Sequence, residues 1–188
     1  MLFRSDKVQI TELTTTIAHQ KQTVVALGAA GRASVKTQDA DFQAGLNASL
    51  PGLTAILARP DVKATAGLFK FNGRISQKNL TPTKTNDISF DRAVVGNLNV
   101  ESFTAVAMSN RFDRFEAAFD CDVAMKGQQL DIKKFGGALK QGGLPAGNLT
   151  VSGSMDLAKK DGTANLELVD LNQNALRSFV GAALGELT

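Results

Sequence analysis

FEAAFDCDVAMK, Phe115 to Lys126, alternates between apolar and polar positions along its whole length. Phe115, Ala117, Phe119, Cys121, Val123 and Met125 fall on one side, and Glu116, Asp120, Asp122 and Lys126 on the other, with Ala118 and Ala124 neutral. A helix would return its apolar residues at intervals of three and four, so a period of two marks a long half-exposed strand. FQAGLNASL sets Phe42, Ala44, Leu46, Ala48 and Leu50 against Gln43, Gly45, Asn47 and Ser49 in the same way. NLTVSGSMDL does so with Leu149, Val151, Gly153, Met155 and Leu157.

Shorter alternating runs lie around Val8 to Leu13, Val24 to Val35, Val62 to Ile75, Val94 to Met108 and Ala164 to Leu168. Together they predict eight to ten strands, mostly antiparallel, because one face is apolar and the other polar. Gly28–Gly31, Asn72-Gly73, Lys126-Gly127, Gly142-Gly143 and Asp161-Gly162 read as turns between them, the last as a type I′ hairpin inside KKDGTAN. Two stretches break the pattern. LPGLTAILARPD, Leu50 to Asp61, spaces Leu53, Ile56 and Leu57 between two prolines, as one or two helical turns would. LNQNALRSFVGAAL spaces Leu176, Phe179, Val180, Ala183 and Leu184 as an amphipathic helix of about three turns, with Asn172 or Asn174 as its N-cap. QKNLTPTKTND, Gln77 to Asp87, reads as a loop.

The expected fold is therefore mainly β: a long, curved antiparallel sheet with a short helical insert and a C-terminal amphipathic helix. It forms a single β-rich domain or fragment over residues 1–188. FKFNGRI (Phe69 to Ile75) resembles LTVSGSM (Leu149 to Met155), and a weak repeat divides the chain into two tandem β units, about 1–90 and 91–171, before a helix at 172–187.

Composition narrows the chemistry. With 43% hydrophobic and 21% charged residues, the chain of 188 has an ordinary globular balance. Twenty-one basic against eighteen acidic side chains leave +3, spread too evenly to mark a nucleic-acid partner. One histidine and one cysteine exclude a His-rich metal site, a CxxC pair and an internal disulfide. His19 in TTTIAHQKQ has no nucleophile turn to serve and reads as a surface residue. Asp120, Asp122 and Glu116 share a strand face, where Arg111, Arg114 and Lys126 are expected to neutralise them. GAAGR (Gly28 to Arg32) and GGALKQGG (Gly136 to Gly143) lack phosphate-loop spacing and read as β turns. No enzyme activity, cofactor or metal is expected. Met1 to Leu13 carries Arg4, Asp6, Lys7 and Glu12 and has no signal-peptide core, and no apolar run is long enough to be a membrane helix.

The C-terminal half resembles the AsmA family, with its TamB-like relatives. The resemblance rests on Leu130-Asp131-Ile132, on Phe135-Gly136-Gly137-Ala138-Leu139, on Leu149 to Leu157, on Ala164 to Leu168 and on Val169-Asp170-Leu171. It extends from about Val94 onward, and Phe135 stands where the family commonly has Tyr. It implies a β-groove protein of the Gram-negative envelope, periplasmic and anchored in the inner membrane in a longer chain, with the anchor absent here. It further implies a non-enzymatic module that binds or conducts phospholipid between the inner and outer membranes. Phe42, Leu46, Phe115, Phe119, Val123, Met125, Leu149, Val151 and Met155 are then the candidates to face acyl chains. The alternative is a structural or assembly domain whose closed β core contacts outer-membrane biogenesis proteins. Alternation alone fits an open groove and a closed core equally.

Overall fold

The computed structural model describes residues 6–58, 61–80, 89–107 and 110–172. Nine strands follow one another in the chain and in space: β1 Lys7–His19, β2 Gln22–Ser34, β3 Ala40–Ser49, β4 Val62–Asn79, β5 Phe90–Ala107, β6 Asn110–Lys126, β7 Gln129–Gln141, β8 Leu144–Asp156 and β9 Asp161–Val169. Each pairs antiparallel with the next, giving one open sheet in the order β1 to β9. One helix, α1 (Leu50–Leu57), interrupts the meander between β3 and β4. The expected mainly-β fold, with a sheet built of antiparallel strands and a helical insert at Pro51, is the one observed. The helix expected over 172–187 lies outside the described residues. The division at about residue 90 falls at the start of β5, which pairs with β4 from Asn79↔Phe90 to Val62↔Ala107.

The alternating stretches became strands, but not every glycine signal became a turn. Gly28 and Gly31 lie inside β2, and Asn72-Gly73 lies inside β4. Gly31 and Gly73 each lie under a ring. A Cβ on Gly31 would stand 2.7 Å from Cδ1 of Phe42, its partner on β3, and one on Gly73 would stand 2.8 Å from Cζ of Phe71. Glycine in a strand often marks such a close approach, and an aromatic ring fills the gap it leaves. Gly136 and Gly137 likewise lie within β7, whereas Gly142-Gly143 and Gly127 do turn the chain. The hairpin between β8 and β9 turns at Leu157–Lys160, one step before Asp161-Gly162, which already pair with Asp156 and Met155. Gln77 to Asn79, read as loop, extend β4.

At α1 the local chemistry is visible in the sequence. Ser49 Oγ accepts a hydrogen bond from the Gly52 amide at 3.3 Å, Pro51 occupies the first turn, and Ala58 closes the helix in a left-handed conformation with φ 48°. Gly52 brings the helix down on Val24: a Cβ there would meet the valine methyl at 2.7 Å.

Near this end the sheet bends. Gly67 (φ 131°), Ser102 (φ 47°) and Arg114 (φ 44°) stand at register shifts in the β4–β5 and β5–β6 pairings. Such bulges increase local twist and bend a strand. Phe112 meets Phe103 at a tilt and Phe115 edge-on there, with ring centroids 5.4 Å and 6.0 Å apart. Beside them Ala117, Leu139 and Ala146 form a small buried cluster, packed by Val100, Phe119, Leu149 and Leu171. Among the described residues seven apolar side chains are fully buried, and five of them are alanines. A two-layer domain buries large aliphatic side chains between its layers. Among the described residues the sheet is a single layer, and most of its large side chains stay half-exposed.

Candidate functional site

Antiparallel partners standing opposite one another share a sheet face, so the register determines what lies beside what. Leu27, Leu46, Phe71, Leu98 and Phe119 form one row across β2 to β6, and it continues through Gly137 to Leu149 and Leu168. A second row runs Ala29, Ala44, Gly73, Gly96, Cys121 and Phe135, then Val151 and Leu166. A third runs Phe42, Ile75, Val94, Val123 and Ile132. Leu13, opposite Ala29, carries the second row onto β1, so the apolar face is continuous from β1 to β9. Phe119 and Phe135 touch across it with centroids 5.3 Å apart.

The nine sequence-derived candidates all fall on this face. Phe119 and Leu149 lie in the first row, Val151 in the second, and Phe42 and Val123 in the third. Leu46 belongs to the first row, while Met125 and Met155 both pair with Leu130 at the far end. Phe115 pairs with Phe103 beyond the bulge and belongs to the aromatic cluster. Eight of them are half-buried, and Met155 is exposed. Sequence reasoning missed the centre of the surface, Phe69, Phe71, Leu98 and Phe135. The repeat in FKFNGRI was the available signal, since its two phenylalanines and isoleucine take the same side of β4. Exposure rises toward the sheet edges, where Leu13, Ile17, Leu166 and Leu168 are largely open.

The opposite face is polar and internally paired. Arg74 donates to both oxygens of Asp41, at 2.6 Å and 2.7 Å, and Lys70 reaches Glu101 at 2.7 Å. The Arg74 guanidinium holds the Asp41 carboxyl below its ordinary range. Lys134 bonds Asp120 at 2.6 Å and, with a hydrogen bond from Asn97, lowers its carboxyl too. Asp122 and Glu116 are met by Lys133 and Lys140, 3.8 Å and 3.9 Å away. The expected neutralising set of Arg111, Arg114 and Lys126 is therefore corrected: three lysines of β7 do that work. Hollows of about 700, 570 and 160 Å³ open mainly on this polar side, the first bordered by Arg32, Asp41, Arg74, Ser76, Asp91 and Ala93.

Cys121 sits in the second apolar row, where burial and then the charge of Asp122 push its thiol pKa up, so it stays neutral. His19 ends β1, exposed, opposite Gln22. Among the described residues no cluster of three or more metal-ligating side chains occurs, and no helix is long and apolar enough to cross a membrane. Compared with family models, with curated proteins and with solved structures, the chain matches none of them.

Proposed function

We propose that the chain is a non-enzymatic lipid-binding module, whose apolar sheet face supports phospholipid acyl chains in the cell envelope between inner and outer membranes. One observation carries the reading. The apolar face extends over all nine strands, and among the described residues only α1 adds a further element. Strands about 4.8 Å apart make three or four of them as wide as one leaflet of a ~30 Å hydrocarbon core, so an acyl chain fits across a few strands. Each methylene removed from water there contributes roughly 0.8 kcal/mol. The envelope location and the direction of lipid traffic rest on the AsmA resemblance alone.

The test uses a phospholipid with an environment-sensitive fluorophore on one acyl chain. The chain has no tryptophan or tyrosine, so background emission is low. Saturable probe binding, displaced by unlabelled phospholipid and accompanied by phospholipid in native mass spectra of the purified chain, supports the reading. Absence of both leaves the assembly-domain alternative, in which another protein covers the same face.

A further inference from the structure

We propose that β1 is a self-association edge: a second copy of this chain pairs with it antiparallel, about a two-fold axis normal to the sheet at Thr15. The pairing of β1 with β2 shifts register after Ile10 and again after Ile17. Between the shifts lie five regularly paired residues, from Leu13↔Ala29 to Ile17↔Val25. Their sequence, Leu13-Thr14-Thr15-Thr16-Ile17, has the same pattern in either direction. Laid antiparallel on itself about Thr15, it sets Leu13 against Ile17 of the second copy and Thr15 against Thr15, all on the apolar face. Thr14 meets Thr16 of the second copy on the polar face. β-branched and Thr–Thr pairs of this kind are favourable across antiparallel strands.

Edge strands normally carry protection against such pairing: a lysine, a proline, or a charge turned inward. From Thr11 to His19 the only charged side chain is Glu12, and it would face Ala18 of the second copy. Every residue in that stretch is exposed, Leu13 at 46% and Ile17 at 56%. Among the described residues no strand pairs with the outer side of β1. The other edge differs. In β9 the register that sets Leu166 against Leu168 of a second copy would bring Glu167 against its own counterpart. A normal two-fold keeps both apolar faces on one side, so the row through Leu46, Leu27 and Thr15 runs on into the second copy. Five residues per copy make an interface smaller than the standard ~1,200 Å² and above, so the dimer is a reversible one.

Sedimentation equilibrium over a dilution series tests this on the chain as it stands, with a monomer–dimer equilibrium expected. Thr14→Lys/Thr16→Lys sets lysine against lysine twice and should weaken association on the order of tenfold. Thr14→Lys/Thr16→Glu sets lysine against glutamate in the same register and should associate at least as well as the parent. Both positions are exposed and opposite Gly28 and Ala26, so neither variant should change the thermal transition. Thr15→Cys, made with Cys121→Ser, should give an intermolecular disulfide on mild oxidation, whereas Ala18→Cys in that background should not. A chain that stays monomeric, or one whose association the lysine pair leaves unchanged, or two double variants that weaken it alike, would overturn the proposal.

Discussion

The ring of Phe42 lies over Gly31, its antiparallel partner on β2, so closely that a Cβ on the glycine would come within 2.7 Å of Cδ1. The same Cβ would press on the Asp41 carbonyl, and backbone cannot swing aside as a side chain can. Gly28, three residues away on the same strand, has nothing within 4 Å of its Cβ position. The two glycines should therefore respond oppositely to alanine. Gly31→Ala should cost about 1–3 kcal/mol through overpacking, while Gly28→Ala should gain about 0.5–1 kcal/mol by removing glycine's excess freedom. Thermal unfolding of both variants decides it; equal shifts would mean that the ring does not fix Gly31.

That contrast explains what was and was not legible in the sequence. Period-two alternation in 115–126, 42–50 and 148–157 was enough to put nine candidate residues on one face, because strand side chains alternate whatever the register. The glycines were misread because a turn glycine and a ring-covered glycine look alike locally. What distinguishes Gly31 is Phe42, eleven positions away and adjacent only once β2 and β3 pair. The acidic trio misled for a related reason. Same-face residues along a strand are about 6.8 Å apart, whereas direct cross-strand neighbours are about 4.5–5.5 Å apart. Lys133, Lys134 and Lys140 therefore outcompete the basic residues of β6 itself. FKFNGRI marked Phe69 and Phe71, but only register, which no single stretch encodes, sets Leu98 beside Phe71 and Phe135 beside Cys121.

Leu139 is the one large side chain in the buried cluster with Ala117 and Ala146. Its alanine neighbours are too short to close over a void. Leu139→Ala should cost about 2–5 kcal/mol, and Leu139→Met, which keeps the volume, less than about 1.5 kcal/mol. Chemical denaturation with unchanged m-value would register both; a negligible loss for alanine would show that this cluster does not anchor the sheet.

Acid should weaken the sheet through its polar face. Asp41 is held below the ordinary aspartate value of 3.8 by hydrogen bonds from Arg74, Asp120 by Lys134, and Asp39 by the Asn79 amide and the Thr37 hydroxyl. Folded values lying under unfolded ones mean that the native state binds fewer protons. The stabilisation is present above the unfolded value and disappears as pH falls through it toward the folded values. The melting temperature should be level near neutrality and decline below pH 3.8. The pairs are open to solvent, so added salt should reduce the effect. Asp41→Asn/Asp120→Asn should melt lower at neutral pH and show a shallower acid decline. An unaltered acid limb in that variant would place the proton uptake elsewhere.

A charge on the apolar face should separate an acyl-binding surface from a closed core. Leu166 on β9 is 59% exposed and lies in the row that ends Phe135, Val151, Leu166. Leu166→Asp should leave the thermal transition within about 0.5 kcal/mol of the parent, as exposed substitutions do. It should nevertheless reduce binding of the acyl-labelled phospholipid, because a carboxylate there must keep its hydration. Thr163→Asp, on the opposite face of the same strand, is the matched control and should change neither. Phe119→Asp on β6 and Val151→Arg on β8, both half-buried, should abolish binding and also lower stability. The exposed position therefore decides. Probe binding that survives Leu166→Asp, or falls equally with Thr163→Asp, would mean that acyl chains do not lie on this face. A melting transition lost with Leu166→Asp would mean that the residue is packed beneath another element, and that the face is core.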